Sequence, residues 1–146
     1  MIKKILILFF FVTACGYEPL HVNKNEIFFK KITLIGDKQI NRKIISSLSI
    51  KEKPQNLKDN QIILESSKII NTTSKDERGQ PKTFRTNVMV KLIILENGIK
   101  LKEKIFSENF SYQNRDNKYD LFSYQDEIQN NLVNKIIDNL TIFINL

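Results

Sequence analysis

Apolar residues alternate with polar ones from Ile27 to Ile35, which is the first regular pattern after the N-terminal region. This period of two predicts a β-strand, because successive side chains of a strand point to opposite faces. The alternation changes phase at Lys30-Lys31. That change fits either a β-bulge or a strand that is only partly buried.

A helical spacing follows the turn at Gly36-Asp37. Asp37 is a favoured N-cap residue, since its carboxylate can accept hydrogen bonds from the free N–H groups of the first helical turn. Apolar residues then recur at intervals of three and four and predict a helix that packs on a sheet, with Asn41 and its charged neighbours facing away. The apolar face of this helix comprises Ile40, Ile44, Ile45 and Leu48. The polar segment Lys51–Asn60, which contains Pro54, is predicted to be a loop.

Two strands joined by a hairpin are predicted next. Gln61–Thr73 is rich in β-branched residues, which favour strands. The stretch Ser74–Lys82 carries charges, a glycine and a proline, and is typical of a hairpin loop. From Phe84 to Ile94 the alternation is the clearest in the chain, which predicts one buried face and one mostly polar face.

Asn97-Gly98 predicts a second hairpin, because both residues tolerate the positive φ angles of a type I′ turn. The following strand, Ile99–Tyr112, changes phase near Lys104-Ile105, where we expect a β-bulge. After a polar turn at Gln113–Lys118, apolar residues at helical spacing run to the end of the chain and predict the longest helix. The order of elements is therefore β-α-β-β-β-α. We predict an α+β fold with two helices packed on one face of a four-stranded, mostly antiparallel sheet.

The first sixteen residues have the layout of a secretory signal peptide: two lysines, an apolar run at Ile5–Val12 and then small residues. The apolar run is too short for a transmembrane helix, which needs about 20 residues. Val12-Thr13-Ala14-Cys15 resembles a bacterial lipobox, in which the cysteine is acylated and becomes the first residue of the mature protein. An ordinary cleaved signal with a chance cysteine, or an uncleaved hydrophobic start, are the alternatives. Cys15 is the only cysteine, so it has no disulfide partner within the chain.

These features predict three regions: a lipoprotein signal peptide at residues 1–14, a lipidated tether at residues 15–25, and a single domain at residues 26–146. Removal of the first 14 of 146 residues leaves 146 − 14 = 132, a usual size for one domain. The formal net charge of +7 falls to 7 − 2 = +5, because the segment contains two lysines and no acidic residue. A basic surface could bind nucleic acid, anionic lipid or phosphorylated glycolipid, and export argues against nucleic acid.

Candidate catalytic chemistry is sparse. His21 is the only histidine and lies in the tether, so no nucleophile–histidine pair or metal pair can be assigned. Asp116, Asp120, Asp126 and Glu127 cluster near the start of the last helix, where carboxylates are favoured by the helix dipole. We therefore expect no enzyme activity, no metal site and no cofactor. An unidentified periplasmic hydrolase is the alternative in the enzyme class.

Cys15-Gly16-Tyr17-Glu18-Pro19-Leu20 resembles the Cys-Gly-aromatic-x-Pro-Leu opening of the LptE family of lipopolysaccharide-assembly lipoproteins, in particular the alphaproteobacterial branch. The order of elements, Thr83-Phe84-Arg85 and Phe110-Ser111-Tyr112 agree with this resemblance, as does Tyr119 at the opening of the last helix. The last helix departs from it, because it carries Lys and Asn where relatives tend to carry Ala and Arg.

The resemblance implies an outer-membrane lipoprotein that faces the periplasm and plugs the large β-barrel protein LptD. The two proteins together would deliver lipopolysaccharide to the outer leaflet. The alternative is a different periplasm-facing lipoprotein, such as a binding or chaperone-like module with the same layout.

Two basic clusters are candidates for contact with glycolipid phosphates, since Arg and Lys make charge-assisted hydrogen bonds with phosphate oxygens. Arg78, Lys82 and Arg85 lie at one hairpin end, and Lys100, Lys102 and Lys104 are predicted to share one face of the following strand. The structural alternative is a solvated strand edge whose charges prevent edge-to-edge aggregation.

Overall fold

A computed structural model describes residues 26–55 and 58–145. The predicted signal peptide and the predicted tether, with Cys15 and His21, lie outside these residues. In chain order the elements are β1 (Ile27–Phe29), β2 (Lys31–Gly36), α1 (Lys38–Ser47), β3 (Ile50–Glu52), β4 (Asn60–Lys75), β5 (Pro81–Glu96), β6 (Ile99–Gln113) and α2 (Lys118–Asn145).

The main sheet has four strands in the order β2-β4-β5-β6. β2 runs parallel to β4, and the other neighbouring strands are antiparallel. Both helices pack on one face of this sheet, so the predicted α+β fold is confirmed. The buried core joins the even-numbered positions of β4 and β5 to the apolar faces of the helices, and includes Ile62, Leu64, Val88, Val90, Leu92, Ile40, Ile44, Leu132, Ile136 and Leu140.

The predicted N-cap of α1 is confirmed. One carboxylate oxygen of Asp37 accepts hydrogen bonds from the backbone N–H groups of Gln39 and Ile40, at 2.9 and 3.0 Å. The expectation that Asn41 faces away from the sheet is wrong, because Asn41 is buried and its amide donates to the carbonyl of Ile35 at 2.9 Å. This hydrogen bond holds the first turn of α1 against β2.

The segment predicted as one strand from Ile27 to Ile35 is divided between two sheets. β1 pairs in parallel with β3, which lies at the start of the segment predicted to be a loop. The division occurs at Lys30, whose backbone N–H donates to the carbonyl and the side-chain oxygen of Asn60 at 2.9 and 3.1 Å. The phase change in the sequence thus marks a change of sheet rather than a bulge.

The type I′ turn is confirmed by the positive φ angles of Asn97 (52°) and Gly98 (76°). The β-bulge in β6 is not at Lys104-Ile105, as expected from the sequence. It lies at Leu101, because Leu95 of β5 pairs with Lys100 and the preceding Ile94 pairs with Lys102.

The last helix begins with an asparagine cap. The side-chain oxygen of Asn117 accepts from the backbone N–H of Tyr119 at 2.9 Å, so an amide rather than one of the four nearby carboxylates makes the cap. Asp120 is the acidic residue of the first turn, where it meets the positive end of the helix dipole. Over residues 26–55 and 58–145, neither helix combines the length and the apolar character that a membrane crossing needs.

Candidate functional site

The loop between β4 and β5 carries Arg78. Asp76 organises this loop, since its carboxylate accepts from the backbone N–H groups of Arg78 and Gln80 at 2.9 and 2.8 Å. The backbone N–H of Asn114 donates to the carbonyl of Lys82 at 2.8 Å and ties the loop to the connection between β6 and α2. Arg78 and Lys82 are therefore held at the same end of the sheet.

A groove of about 640 Å³ lies between the β4–β5 loop and the β6–α2 connection. Arg78 and Lys82 line this groove, whereas Arg85 does not. The charged residues that line it are three basic and three acidic: Lys75, Arg78, Lys82, Asp76, Glu77 and Asp116. The groove is therefore formally neutral over these described residues, which weakens its attraction for phosphate groups.

Arg85 lies further along β5, and its Nε donates to the hydroxyl of Ser111 on β6 at 2.9 Å. Its odd-numbered position places it on the sheet face opposite the helices, because the even-numbered Thr86 and Val88 are buried under them. The structure thus brings Arg78 and Lys82 together and places Arg85 on a different surface.

The predicted stripe of Lys100, Lys102 and Lys104 is divided between the two faces of the sheet. The bulge at Leu101 inserts one residue, so Lys100 pairs with Leu95 and lies on the face away from the helices. Lys102 and Lys104 pair with Ile94 and Leu92 and lie on the helix-bearing face. The expectation of one shared face is therefore wrong, and the cause is the position of the bulge.

Lys102 and Lys104 meet an aromatic residue at the C-terminal end of α2. Their Nζ atoms lie 5.6 and 5.4 Å from the ring centre of Phe143, and the Phe143 ring contacts Phe106 edge to face at 5.8 Å. Lys102 also donates to the carbonyl of Phe143 at 3.4 Å. These lysines stabilise the negative end of the helix dipole.

The sheet face opposite the helices, which we call the open face, carries a set of exposed apolar side chains. Ile35, Ile69, Met89 and Ile105 are exposed by 48, 54, 46 and 57%. Ile35 and Ile105 lie at the two ends of one cross-sheet row, with Glu65 and Lys91 between them. Among the described residues, both helices cover the other face, so the open face is available to a partner.

Three charged residues of the open face form an ion-paired group. Lys91 lies 2.9 Å from one carboxylate oxygen of Glu103, and Lys100 contacts the other oxygen. These two lysines, Lys100 first, lower the pKa of Glu103 to about 2, and the hydrogen bond to Glu103 raises the pKa of Lys91. With Glu65 included, this part of the open face has two positive and two negative charges, although the chain has a formal charge of +7.

Sequence reasoning did not identify the open face. The alternation in β5 predicts that Met89 and Lys91 share a face that is mostly polar. Alternation shows which residues of one strand share a face, but it does not show that Ile35, Ile69 and Ile105 of other strands lie on the same face as Met89. The residue pairing between strands supplies that information. Within the described residues no cluster of side chains is arranged to hold a metal ion.

Comparison with known proteins identifies the fold. No family model and no curated protein matches the sequence. The structure of rare lipoprotein B from Shewanella oneidensis matches with a TM-score of 0.60 and 11% identity, over 78% of this chain and 92% of that one. A minor lipoprotein from Acinetobacter baumannii matches with a TM-score of 0.54 and 10% identity, over 79% of this chain and 90% of that one.

The solution structure of lipoprotein B from Nitrosomonas europaea matches with a TM-score of 0.53 and 14% identity, over 82% of this chain and 87% of that one. Identities of 10 to 14% establish a likeness of fold alone. The matches extend over most of each lipoprotein, so they are not limited to one hairpin. This chain therefore shares the α+β fold of these three lipoproteins.

Proposed function

We propose that this chain is an LptE-type lipoprotein, anchored through a lipid on Cys15 to the periplasmic side of the outer membrane. It binds and plugs the barrel protein LptD and assists the delivery of lipopolysaccharide to the outer leaflet. Its role is binding rather than catalysis. Two independent features support the proposal: the Cys-Gly-x-x-Pro-Leu motif at the predicted lipidation site and the fold shared with three lipoproteins.

The observation that carries the binding role is the open face. Exposed apolar side chains from four strands share one surface of this face: Ile35, Ile69, Met89 and Ile105. Apolar side chains gathered on one face are typical of protein–protein interfaces. With Glu65 included, the charges of Lys91, Lys100 and Glu103 leave this region neutral, which suits a protein surface better than a phosphorylated ligand.

The shape of the domain is compatible with a plug. Barrels of 16 or more strands enclose a wide, polar lumen, and a plug must fill this space with a rigid body. Here β4 and β5 are 16 residues each, and α2 is 28 residues long and packs along β5 and β6. This layer of helix on sheet is a stiff body with polar residues on much of its exterior.

Glycolipid contact is proposed for the basic residues that the sequence analysis selected. Arg78 and Lys82 line the groove at the hairpin end, and Lys104 lies at the edge of the sheet. Arg85, Lys100 and Lys102 each already donate a hydrogen bond to a neighbouring group and would have to exchange partners to bind phosphate. The contacts of Lys104 are with the rings of Phe106 and Phe143. Arg78, Lys82 and Lys104 are thus the first residues to test.

The test is an affinity purification of the lipidated protein from mild detergent, with mass spectrometry of the proteins that are recovered. We expect one large β-barrel protein in near-equal amount. The variants Met89→Lys and Ile105→Lys place a charge on the open face and should abolish this recovery. Ile142→Lys is the matched control, because Ile142 is 61% exposed on α2 and lies away from the open face.

Recovery of no barrel protein would refute the proposal and favour another periplasm-facing lipoprotein with a binding or chaperone-like role. If all three variants reduce the recovery of the barrel protein equally, the open face is not the surface that binds it. If the barrel is recovered, Arg78→Glu, Lys82→Glu and Lys104→Glu test lipopolysaccharide binding. Unchanged retention of lipopolysaccharide by these variants would exclude the three residues from the glycolipid site.

A further inference from the structure

One end of the domain gathers the start of β1, the start of β4 and the turn between β5 and β6. The side-chain amide of Asn60 donates to the carbonyl of Phe28 at 3.0 Å. The backbone N–H of Asn97 donates to the carbonyl of Asp59 at 2.9 Å. Asn60, Glu96 and Ile99 form one row across three strands. We call this region the tether end, because the described chain begins here at residue 26.

The tether end exposes three large apolar side chains. Ile99, directly after the turn, is 74% exposed, and Leu101, the extra residue of the β6 bulge, is 59% exposed. Phe28 is 39% exposed, and the Nζ of Lys53 lies 5.5 Å from the centre of its ring. Exposed apolar side chains with a lysine beside them are typical of protein surfaces at a membrane interface. The hydrocarbon stem of the lysine contacts apolar groups while its amine stays in water.

The chain length between the lipidation site and the domain selects this end. Cys15 and Ile27 are 27 − 15 = 12 residues apart. This length spans at most ~42 Å when fully extended. The opposite end of the sheet is further away by the 16 residues of β4, which is about 50 Å. A lipid on Cys15 therefore holds the tether end, and not the opposite end, near the bilayer.

We propose that the tether end lies on the surface of the bilayer that holds the Cys15 lipid, with Ile99, Leu101 and Phe28 at the level of the lipid headgroups. The inference rests on the lipidation in the proposed function. The anchor keeps these side chains at a high local concentration of lipid, so a contact too weak to bind a free domain becomes populated. Contact through this end also orients the long axis of the sheet along the membrane normal.

A single introduced tryptophan tests the contact, because the natural chain contains none. The full-length, lipidated variant Ile99→Trp is reconstituted into vesicles of phosphatidylethanolamine and phosphatidylglycerol, with and without brominated phospholipid. Phe122→Trp is the matched control, since Phe122 is 69% exposed in the first turns of α2, at the opposite end of the sheet. Leu101→Trp repeats the measurement at a second exposed position of the tether end.

We expect blue-shifted emission and several-fold quenching by the brominated lipid for Ile99→Trp and Leu101→Trp. Phe122→Trp should be unshifted and unquenched. Flotation of the vesicles, with Cys15→Ser as the unanchored control, measures lipidation separately. Protein that floats with its vesicles but shows no quenching at position 99 or 101 overturns the inference and leaves the anchor intact. Equal quenching at positions 99 and 122 also overturns it, because the domain would then lie flat on the bilayer.

Discussion

Gly36 should be the least replaceable glycine of the described domain, and Gly36→Ala tests how β2 passes into α1. Its φ angle is +89°, in the region where a side chain is disfavoured by ~1–2 kcal/mol. A Cβ atom at this position would lie 1.9 Å from the backbone carbonyl oxygen of Ser66 on β4. No side-chain rotation relieves that contact, so the backbone must move.

The movement would disturb two hydrogen bonds. The backbone N–H of Asp37 donates to the carbonyl of Ser66 at 3.1 Å, and the hydroxyl of Ser66 donates to the carbonyl of Asp37 at 3.1 Å. Each such bond contributes ~1 kcal/mol net. Together with the φ penalty, Gly36→Ala should lower the free energy of unfolding by ~3–4 kcal/mol.

Gly79 provides the matched control. Its φ angle is +78°, but a Cβ atom there would have no neighbour within 4 Å. Gly79→Ala should therefore carry only the φ penalty of ~1–2 kcal/mol. Urea denaturation followed by circular dichroism should place the midpoint of Gly36→Ala ~1 M below that of Gly79→Ala at an unchanged m-value. Equal midpoints would refute the steric argument and show that β2 moves freely relative to β4.

Three further predictions concern a cap, an ion pair and the core. Asp37→Ala removes the N-cap of α1 and should lower the unfolding free energy by ~1 kcal/mol in urea denaturation; no change would mean that water replaces the cap. Glu103 has a pKa of about 2 in the folded protein, below its unfolded value of ~4.3. Its ionised carboxylate therefore stabilises the fold fully above pH ~4.3, and this stabilisation is lost as the pH falls toward 2. The melting temperatures of the wild type and Glu103→Gln should therefore differ at pH 7 and converge near pH 2, and a constant difference would contradict the ion pair. Ile136→Ala, at a position with 0% exposure, should lower the unfolding free energy by ~3 kcal/mol, whereas Ile142→Ala, at 61% exposure, should change it by less than ~0.5 kcal/mol.

The parts of the fold that the sequence predicted are those with a local physical cause. Asp37 caps α1 through its own side chain, and Asn97-Gly98 turns the chain through its own φ angles. The alternation from Phe84 to Ile94 gave the buried face of β5 because side chains of one strand must alternate. Of the predicted cluster of Arg78, Lys82 and Arg85, only Arg78 and Lys82 line the same groove.

The parts that the sequence did not predict depend on pairing between distant residues. β1 and β3 form a sheet only because Ile27 meets Ile50, and three-residue strands have no periodicity to detect. The β6 bulge was misplaced because the apolar pattern does not show which residue is extra, whereas the pairing of Lys100 with Leu95 does. Because the bulge lies at Leu101, Lys100 is on the opposite face of the sheet from Lys102 and Lys104. The candidate binding site therefore contains fewer of these lysines than the sequence predicts.

The likeness to the three lipoprotein structures transfers the architecture but not the site. Identities of 10 to 14% leave different side chains at most positions, and many combinations of Ile, Leu and Val can satisfy the alternation that buries a core. Surface residues have no such constraint. The roles of the open face and the tether end must therefore be argued from this chain's own side chains, such as Met89 on the open face and Ile99 at the tether end. Because these two surfaces lie on different parts of the domain, a charge at Met89 should affect partner recovery and a tryptophan at Ile99 should report lipid contact. The two experiments can thus fail independently, and a shared failure would point to the lipoprotein assignment itself.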